Sequence, residues 1–342
     1  MHNFKKALSA TLALVLCVLF LGTAAVAPYF CANEEWWQDA EDRKAYAGEI
    51  DTIACGTSEV YRAFVPELYD GLRGADSYNI ACSYMTIFGC RDMLSAELAR
   101  NPVDTVILEV SYDTLTRNRK YEGPEGDLYQ LGRCDGLGEG VRYFFKALYP
   151  KEYSQVAYHL INRGLSGWKY LLKNRFAVSR EKTKVWGSFP TEDVSLTAQE
   201  ARELFGTKEL KTTAYDENRG YFEDCIAMSL EKGARVVLVT PPLPDRFLLE
   251  NKGFDTVLSW YKAYAEQYGL ELYDFNLLRD RKTVFPDTTA YSDMWHLSTE
   301  GADSFTHLLA GFMDAHDKGE DISAQFFSSY EEAVTNAVKT YR

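Results

Sequence analysis

Histidine is scarce in this sequence. Only His2, His159, His296, His307 and His316 occur in 342 residues, so a mechanism that needs imidazole has few candidates. The seven cysteines contain no CxxC pair and show no zinc-ligand spacing. No metal and no other cofactor is therefore expected. Positive charge is in deficit: 37 Lys and Arg stand against 50 Asp and Glu, a formal net charge of −13. Such a chain repels phosphate backbones, so nucleic acid is not an expected partner. There is no internal repeat and no low-complexity tract.

What is present is ordinary globular material. Hydrophobic residues make up 46% and charged residues 25%, enough for one large domain with an insertion or for two smaller ones. Aromatics are abundant, with 23 Tyr. Tyr suits carbohydrate or interfacial contacts, but most of these residues are expected in the core.

The N-terminus decides the compartment. Lys5 and Lys6 precede the charge-free run Ala7–Ala27, which is 21 residues long. At ~1.5 Å per residue a helix of that length spans a bilayer core of roughly 30 Å. The two Lys are expected to stay cytoplasmic, leaving the rest outside the cell membrane. A cleaved signal peptide is the rival reading, since Ala25-Val26-Ala27 resembles a cleavage site and its loss would release a secreted protein. Pro28 disfavours cleavage there, so an uncleaved anchor (1–27) is preferred. Residues 28–48 read as a polar spacer, with Trp36 and Trp37 near the membrane interface. The six cysteines beyond the anchor (Cys31, Cys55, Cys82, Cys90, Cys134, Cys225) can pair after export but need not.

From residue 49 strands alternate with helices. Ile50–Cys55, Ser77–Cys82, Val103–Val110, Ala234–Thr240 and Leu270–Phe275 read as strands. Glu59–Leu72, Cys90–Arg100, Arg219–Lys232, Thr256–Tyr268 and Ser298–Met313 read as helices. This alternation predicts a three-layer α/β domain over 49–316, with a mostly parallel sheet flanked by helices and ligand sites beyond the carboxyl ends of its strands. Residues 317–342 read as a C-terminal tail. Residues 113–215 interrupt the alternation as a helical insertion. Between Val141 and Trp186 it carries ten Lys or Arg against two Glu, interleaved with aromatics. A solvated helix face accounts for this as well as a lid toward an anionic membrane or acceptor does.

Two motifs carry chemistry. Ser58 lies in Cys55-Gly56-Thr57-Ser58-Glu59, where a strand gives way to a helix, and Gly56 permits the tight turn. A nucleophile suits that position, because the first free N–H groups of the helix can meet an oxyanion. A serine there is more often only a helix cap. The second motif is Asp293-Met294-Trp295-His296-Leu297, immediately before the last helix. Its carboxylate can hold one imidazole nitrogen and leave the other for a serine. Free imidazole titrates near ~6.5, suited to a base at neutral pH. Alone, a D-x-x-H pair is common as a structural hydrogen bond; with Ser58 it is more specific. Tyr61 and Arg62, one turn beyond Ser58, are candidate pocket residues. Glu59 is read as support for the helix N-terminus. His159, His307 and His316 are read as structural.

Together these motifs resemble the SGNH/GDSL hydrolase superfamily, closest to its membrane-anchored DltD-like and exopolysaccharide O-acyltransferase branch. Tyr78-Asn79-Ile80-Ala81, the strand Val236–Thr240 followed by Pro241 and Pro242, and Gly301-Ala302 extend the resemblance over roughly 50–112 and 217–315. It implies an SGNH/flavodoxin-like fold with Ser58 as nucleophile, His296 as base and Asp293 as its orienter. It also implies an oxyanion or substrate-binding set among the Ser58 N–H, Gly56, Ala81, Asn79 and Ser83. Two departures stand out. Thr57 occupies the usual Asp position, and Glu109-Val110-Ser111-Tyr112 replaces the usual Gly-x-Asn block.

The expected function is acyl transfer or acyl-ester hydrolysis on a cell-envelope glycan or teichoic-acid-like polymer, through an acyl-Ser58 intermediate. The resemblance also implies a membrane-bound acyltransferase partner. The alternatives are a non-catalytic binding protein of the same fold and a plain esterase such as a carbohydrate deacetylase.

Overall fold

The computed structural model describes residues 43–117, 123–134, 137–173 and 188–341, together with 11–14, 16–17 and 21–22. Most of the apolar run 7–27 and the spacer 28–48 therefore lie outside the described residues. Among the described residues no helix is long and apolar enough to cross a membrane. The chain forms two compact units, Met1–Ala45 with Gly123–Lys182, and Tyr46–Glu122 with Thr183–Arg342.

The larger unit is built on five parallel strands: β1 (Thr52–Cys55), β2 (Ser77–Asn79), β3 (Thr105–Glu109), β4 (Arg235–Thr240) and β5 (Glu271–Asp274). Their order across the sheet is β2-β1-β3-β4-β5. Val106 pairs with Ile53 on one side and Val236 on the other, so β3 is central and apolar throughout its middle. Ala54, Ile107, Val237, Val239 and Tyr273 share one core with the helices. The alternate residues Ile53, Val106, Leu108 and Leu238 are equally buried. Burial at both parities means that both sheet faces are covered, as parallel strands require.

Helices α1 (Ser58–Ala63), α2 (Pro66–Arg73), α3 (Ile87–Arg100), α4 (Asp216–Glu231), α5 (Phe254–Tyr268), α6 (Thr299–Asp317) and α7 (Tyr330–Lys339) supply the cover. The helix expected over 59–72 is two helices. Pro66 cannot sit inside the first, and it begins the second at a position where its missing N–H costs nothing. α3 packs on α4, and α6 packs on α1 and α2.

The segment read as a C-terminal tail is part of the core. Phe326 packs on Phe312, Tyr330 stacks on Phe254 with ring centroids 4.6 Å apart, and the Tyr341 hydroxyl donates to Asp245. The insertion is also shorter than expected, because residues 188–215 fold with the sheet unit.

The smaller unit holds the helices Glu125–Gly132, Leu137–Ala147 and Tyr153–Lys173. Tyr143 is buried and its hydroxyl donates to Asp127 at 2.9 Å. Among the described residues no two cysteines are joined by a disulfide, and Cys31 lies outside the described residues.

Candidate active site

Strand β1 is fully buried, and its direction carries the chain straight into the turn Gly56-Thr57-Ser58. Thr57 is the N-cap of α1, and its Oγ1 accepts the Glu59 N–H at 3.2 Å. Glu109, at the end of β3, crosses over the same turn. Its carboxylate accepts the Thr57 N–H at 2.7 Å, the Thr57 hydroxyl at 2.8 Å and the Val60 N–H at 3.1 Å. A Cβ on Gly56 would collide with that carboxylate and lie 2.5 Å from the Glu109 Cβ. Glycine stands there because a side chain passes over it. Among the described residues no acceptor meets the Ser58 N–H.

The partners of Ser58 come from a tight loop before α6. Tyr291 and Leu297 bridge antiparallel, and the Ser292 N–H donates to the His296 carbonyl at 2.9 Å. Asp293 and His296 therefore sit together at the loop tip. Both Asp293 oxygens lie 2.8 Å from His296 Nδ1, and His296 Nε2 lies 2.8 Å from the Ser58 hydroxyl oxygen. The carboxylate fixes the Nδ1–H tautomer, so Nε2 is left to accept the serine proton. Burial opposes ionisation of Asp293. Hydrogen bonds from His296 and from the Trp295 N–H, with the Arg62 charge, outweigh it and hold the carboxyl below its usual range.

Neither a protein-family model nor a curated protein matches this sequence.

Around the three residues the site is aromatic on two sides. Trp295 is exposed, stacks on Tyr112 at 6.3 Å between centroids, and meets Phe247 edge-on at 4.6 Å. Arg62 reaches the loop, with Nη1 3.1 Å from Ser292 Oγ and 3.3 Å from Asp293 Oδ2, while its guanidinium lies over the Phe189 ring. Tyr61 packs against the same ring. Both residues singled out one turn beyond Ser58 thus border the site.

The expected oxyanion set is corrected. Asn79 is fully buried, and its amide donates to the carbonyls of Val60 and Phe64, tying down the end of α1. Its carbonyl oxygen takes the Ala81 N–H at 3.0 Å. Neither Asn79 nor Ala81 is left to serve an oxyanion, because the buried end of α1 needs capping first. Gly56 admits Glu109, as above. Ser83 is half-buried in the turn before Tyr84, which is the one non-glycine residue in the left-handed region among those described, with φ 57°. His307 is exposed and His316 lies 3.6 Å from Glu271, as ordinary helix residues do. The side chain of His159 lies outside the described residues.

The sequence marks Glu109 and Gly301 only as points of departure from and agreement with the family pattern, and does not reveal their roles at the site. A Cβ on Gly301 would collide with the Ala290 carbonyl and lie 2.9 Å from Leu297 Cδ2, so α6 and the loop bearing His296 can touch only through glycine. Gly301→Ala is expected to cost roughly 1–3 kcal/mol by overpacking, read as a lower melting temperature. Among the described residues no group of His, Cys, Asp and Glu has metal-binding geometry.

Several buried carboxyls resist ionisation. Glu59 is buried with one oxygen unpartnered; burial, then the charges of Glu109 and Asp113, raise its pKa well above the usual range. Burial foremost also raises Glu109 to about 7, and Asp274 and Asp287 to about 6 each. The unfolded chain releases these protons at lower pH than the folded one. Their stabilising contribution is therefore full below the unfolded pKa values and lost as pH rises through the folded ones. Between pH 5 and pH 8 the loss is on the order of 5 kcal/mol. Thermal unfolding should give a melting temperature about 5–10 °C lower at pH 8 than at pH 5.

Proposed function

We propose that the protein is a serine-dependent acyl-transfer enzyme of the SGNH type. The observation that carries this reading is the unbroken chain Ser58 Oγ, His296 Nε2, His296 Nδ1, Asp293, each link 2.8 Å. It joins residues 58, 293 and 296 at the carboxyl end of a parallel sheet. The strand order 2-1-3-4-5 is the flavodoxin-like one, whose switch point lies between β1 and β3, and Ser58 follows β1.

In this reading Ser58 Oγ attacks an acyl carbonyl while His296 Nε2 takes the hydroxyl proton. The oxyanion develops toward the Ser58 N–H. Collapse of the tetrahedral adduct breaks the bond to the leaving group, which receives the proton from His296. An acceptor hydroxyl then gives its proton to His296, attacks the acyl-Ser58 ester and restores the free serine. Water in the acceptor's place gives hydrolysis. The tethering run 7–27 supports a donor and acceptor at the outer membrane face: an acyl group passed from a membrane-bound partner to an envelope glycan or teichoic-acid-like polymer.

The test is turnover of p-nitrophenyl acetate by the purified protein, with and without an added polyol acceptor. Wild-type turnover that vanishes in folded Ser58→Ala supports the reading, and turnover retained in that variant removes Ser58 as nucleophile. A non-catalytic binding role is favoured by one observation: Asn79 and Ala81 are committed elsewhere, leaving the Ser58 N–H as the only assigned oxyanion donor. A folded wild-type protein without turnover in any acceptor supports that second reading.

A further inference from the structure

We propose that Glu109 is the positioning residue of the nucleophile: from the end of β3 its carboxylate clamps the residues on both sides of Ser58 and so sets the serine against His296. The inference rests on the acyl-serine reading above.

The geometry is specific. A helix start leaves its first N–H groups without intrahelical partners. Here Thr57 Oγ1 takes the Glu59 N–H, while one Glu109 oxygen takes the N–H groups of Thr57 and Val60. The other oxygen takes the Thr57 hydroxyl. The clamp thus closes at residues 57 and 60 and leaves the Ser58 N–H to a reacting group. Glu109 has the same strand parity as Ile107, whose side chain joins the core that includes Val60 of α1, so the pleat itself aims the carboxylate at the turn. It is 2% exposed and forbids any side chain at position 56. A carboxylate buried that deeply on a nucleophile's turn costs desolvation that a purely structural cap such as Thr57 alone would avoid.

The charged and titratable groups around Glu109 include Glu59 on α1, Tyr112, Asp113 and Arg117 after β3, Cys90 on α3 and Tyr261 on α5. Arg117 is 3.9 Å from Asp113. Burial first, and the Asp113 charge, oppose ionisation of Glu109, while its hydrogen bonds from Thr57 and Val60 favour it. A proton on Glu109 Oε1 makes that oxygen a donor, so the Thr57 hydroxyl must turn from donor to acceptor and the charge-assisted bonds of the clamp become neutral ones.

The experiment measures the rate of fluorophosphonate labelling of the full-length protein from pH 5 to pH 9, for wild type, Glu109→Gln and Thr57→Val, with thermal melts alongside. Wild type is expected to need deprotonation of Glu109, giving a slope of log rate against pH on the acid side steeper by about one than that of a variant without this carboxyl. Glu109→Gln should label about tenfold more slowly at pH 8, the loss expected when a charge-assisted hydrogen bond becomes neutral, and its acid slope should be shallower than that of wild type by about one. A structural role alone does not change that slope. Thr57→Val, which keeps the carboxylate, should lose about threefold. Glu109→Gln that melts cooperatively and labels at the wild-type rate and slope overturns the proposal. If Glu109→Gln does not fold, a wild-type rate in folded Thr57→Val overturns it. Wild-type protein that is not labelled at all overturns the acyl-serine reading, and this inference falls with it.

Discussion

His296→Ala is expected to slow acylation of Ser58 by a factor on the order of 10⁴ or more while leaving the protein folded. A serine hydroxyl is a poor nucleophile until a base removes its proton. His296 Nε2 is 2.8 Å from that hydroxyl, and among the described residues no other hydrogen-bond acceptor reaches it. The side chain is half-buried and packs at a loop tip, so its removal leaves no large cavity. Asp293→Asn should cost nearly as much by a different route. An amide in place of the carboxylate lets imidazole take the tautomer that turns an N–H toward Ser58, which cannot then be deprotonated. Arg62→Ala should cost less, since Arg62 sits 3.3 Å from only one Asp293 oxygen and is partly exposed. The check is the second-order rate of acylation by an activated ester. A rate for His296→Ala within tenfold of wild type would show that another group takes the proton.

Asp245→Ala is expected to destabilise the larger unit by roughly 3–5 kcal/mol without touching the site. Asp245 is fully buried as the first residue of the short helix Asp245–Glu250 that follows β4, and one of its oxygens pairs with Arg281, which is itself 5% exposed. The other oxygen takes Lys282 at 2.5 Å and the Tyr341 hydroxyl at 2.7 Å. Removing the carboxylate leaves a guanidinium in the interior with the Leu243 carbonyl at 2.7 Å and the nearby Asp287 carboxyl to receive it. It also releases the end of the chain, which Tyr341 holds down. Chemical denaturation should show the midpoint shift with little change in slope. A variant as stable as wild type would mean that water or backbone carbonyls satisfy Arg281 once its partner is gone.

The five strands were legible because buried parallel strands are written as apolar, β-branched runs, as in Thr105–Glu109 and Arg235–Thr240. Helix α6 was legible from its apolar spacing. Pro66 is itself a legible signal, since proline inside an apolar helical pattern marks the start of a new helix. The C-terminal helix escaped notice because it is polar on most of its surface and anchors through a few residues, Tyr330 and Ala333, that only the folded sheet unit gives meaning to. At the site, Ser58, Asp293 and His296 were legible because their spacing is local to two turns. Glu109 was not, because its partners lie about fifty residues earlier and the contact depends on strand register. Thr57 and Glu109 were noted only as departures from a pattern, yet they hydrogen-bond each other at 2.8 Å. Asn79 was assigned to an oxyanion because a side-chain amide beside a strand end suits one. Its actual partners are the carbonyls at the end of α1, and no sequence pattern marks that demand.

The central claim is that Ser58 forms a covalent acyl adduct with His296 as its base. Tandem mass spectrometry of the protein after reaction with an activated acetyl ester tests it most directly. An added acetyl mass on Ser58 in the wild type, absent in His296→Ala, is the expected result. An adduct on a different residue, or equal modification of Ser58 in both proteins, would contradict it.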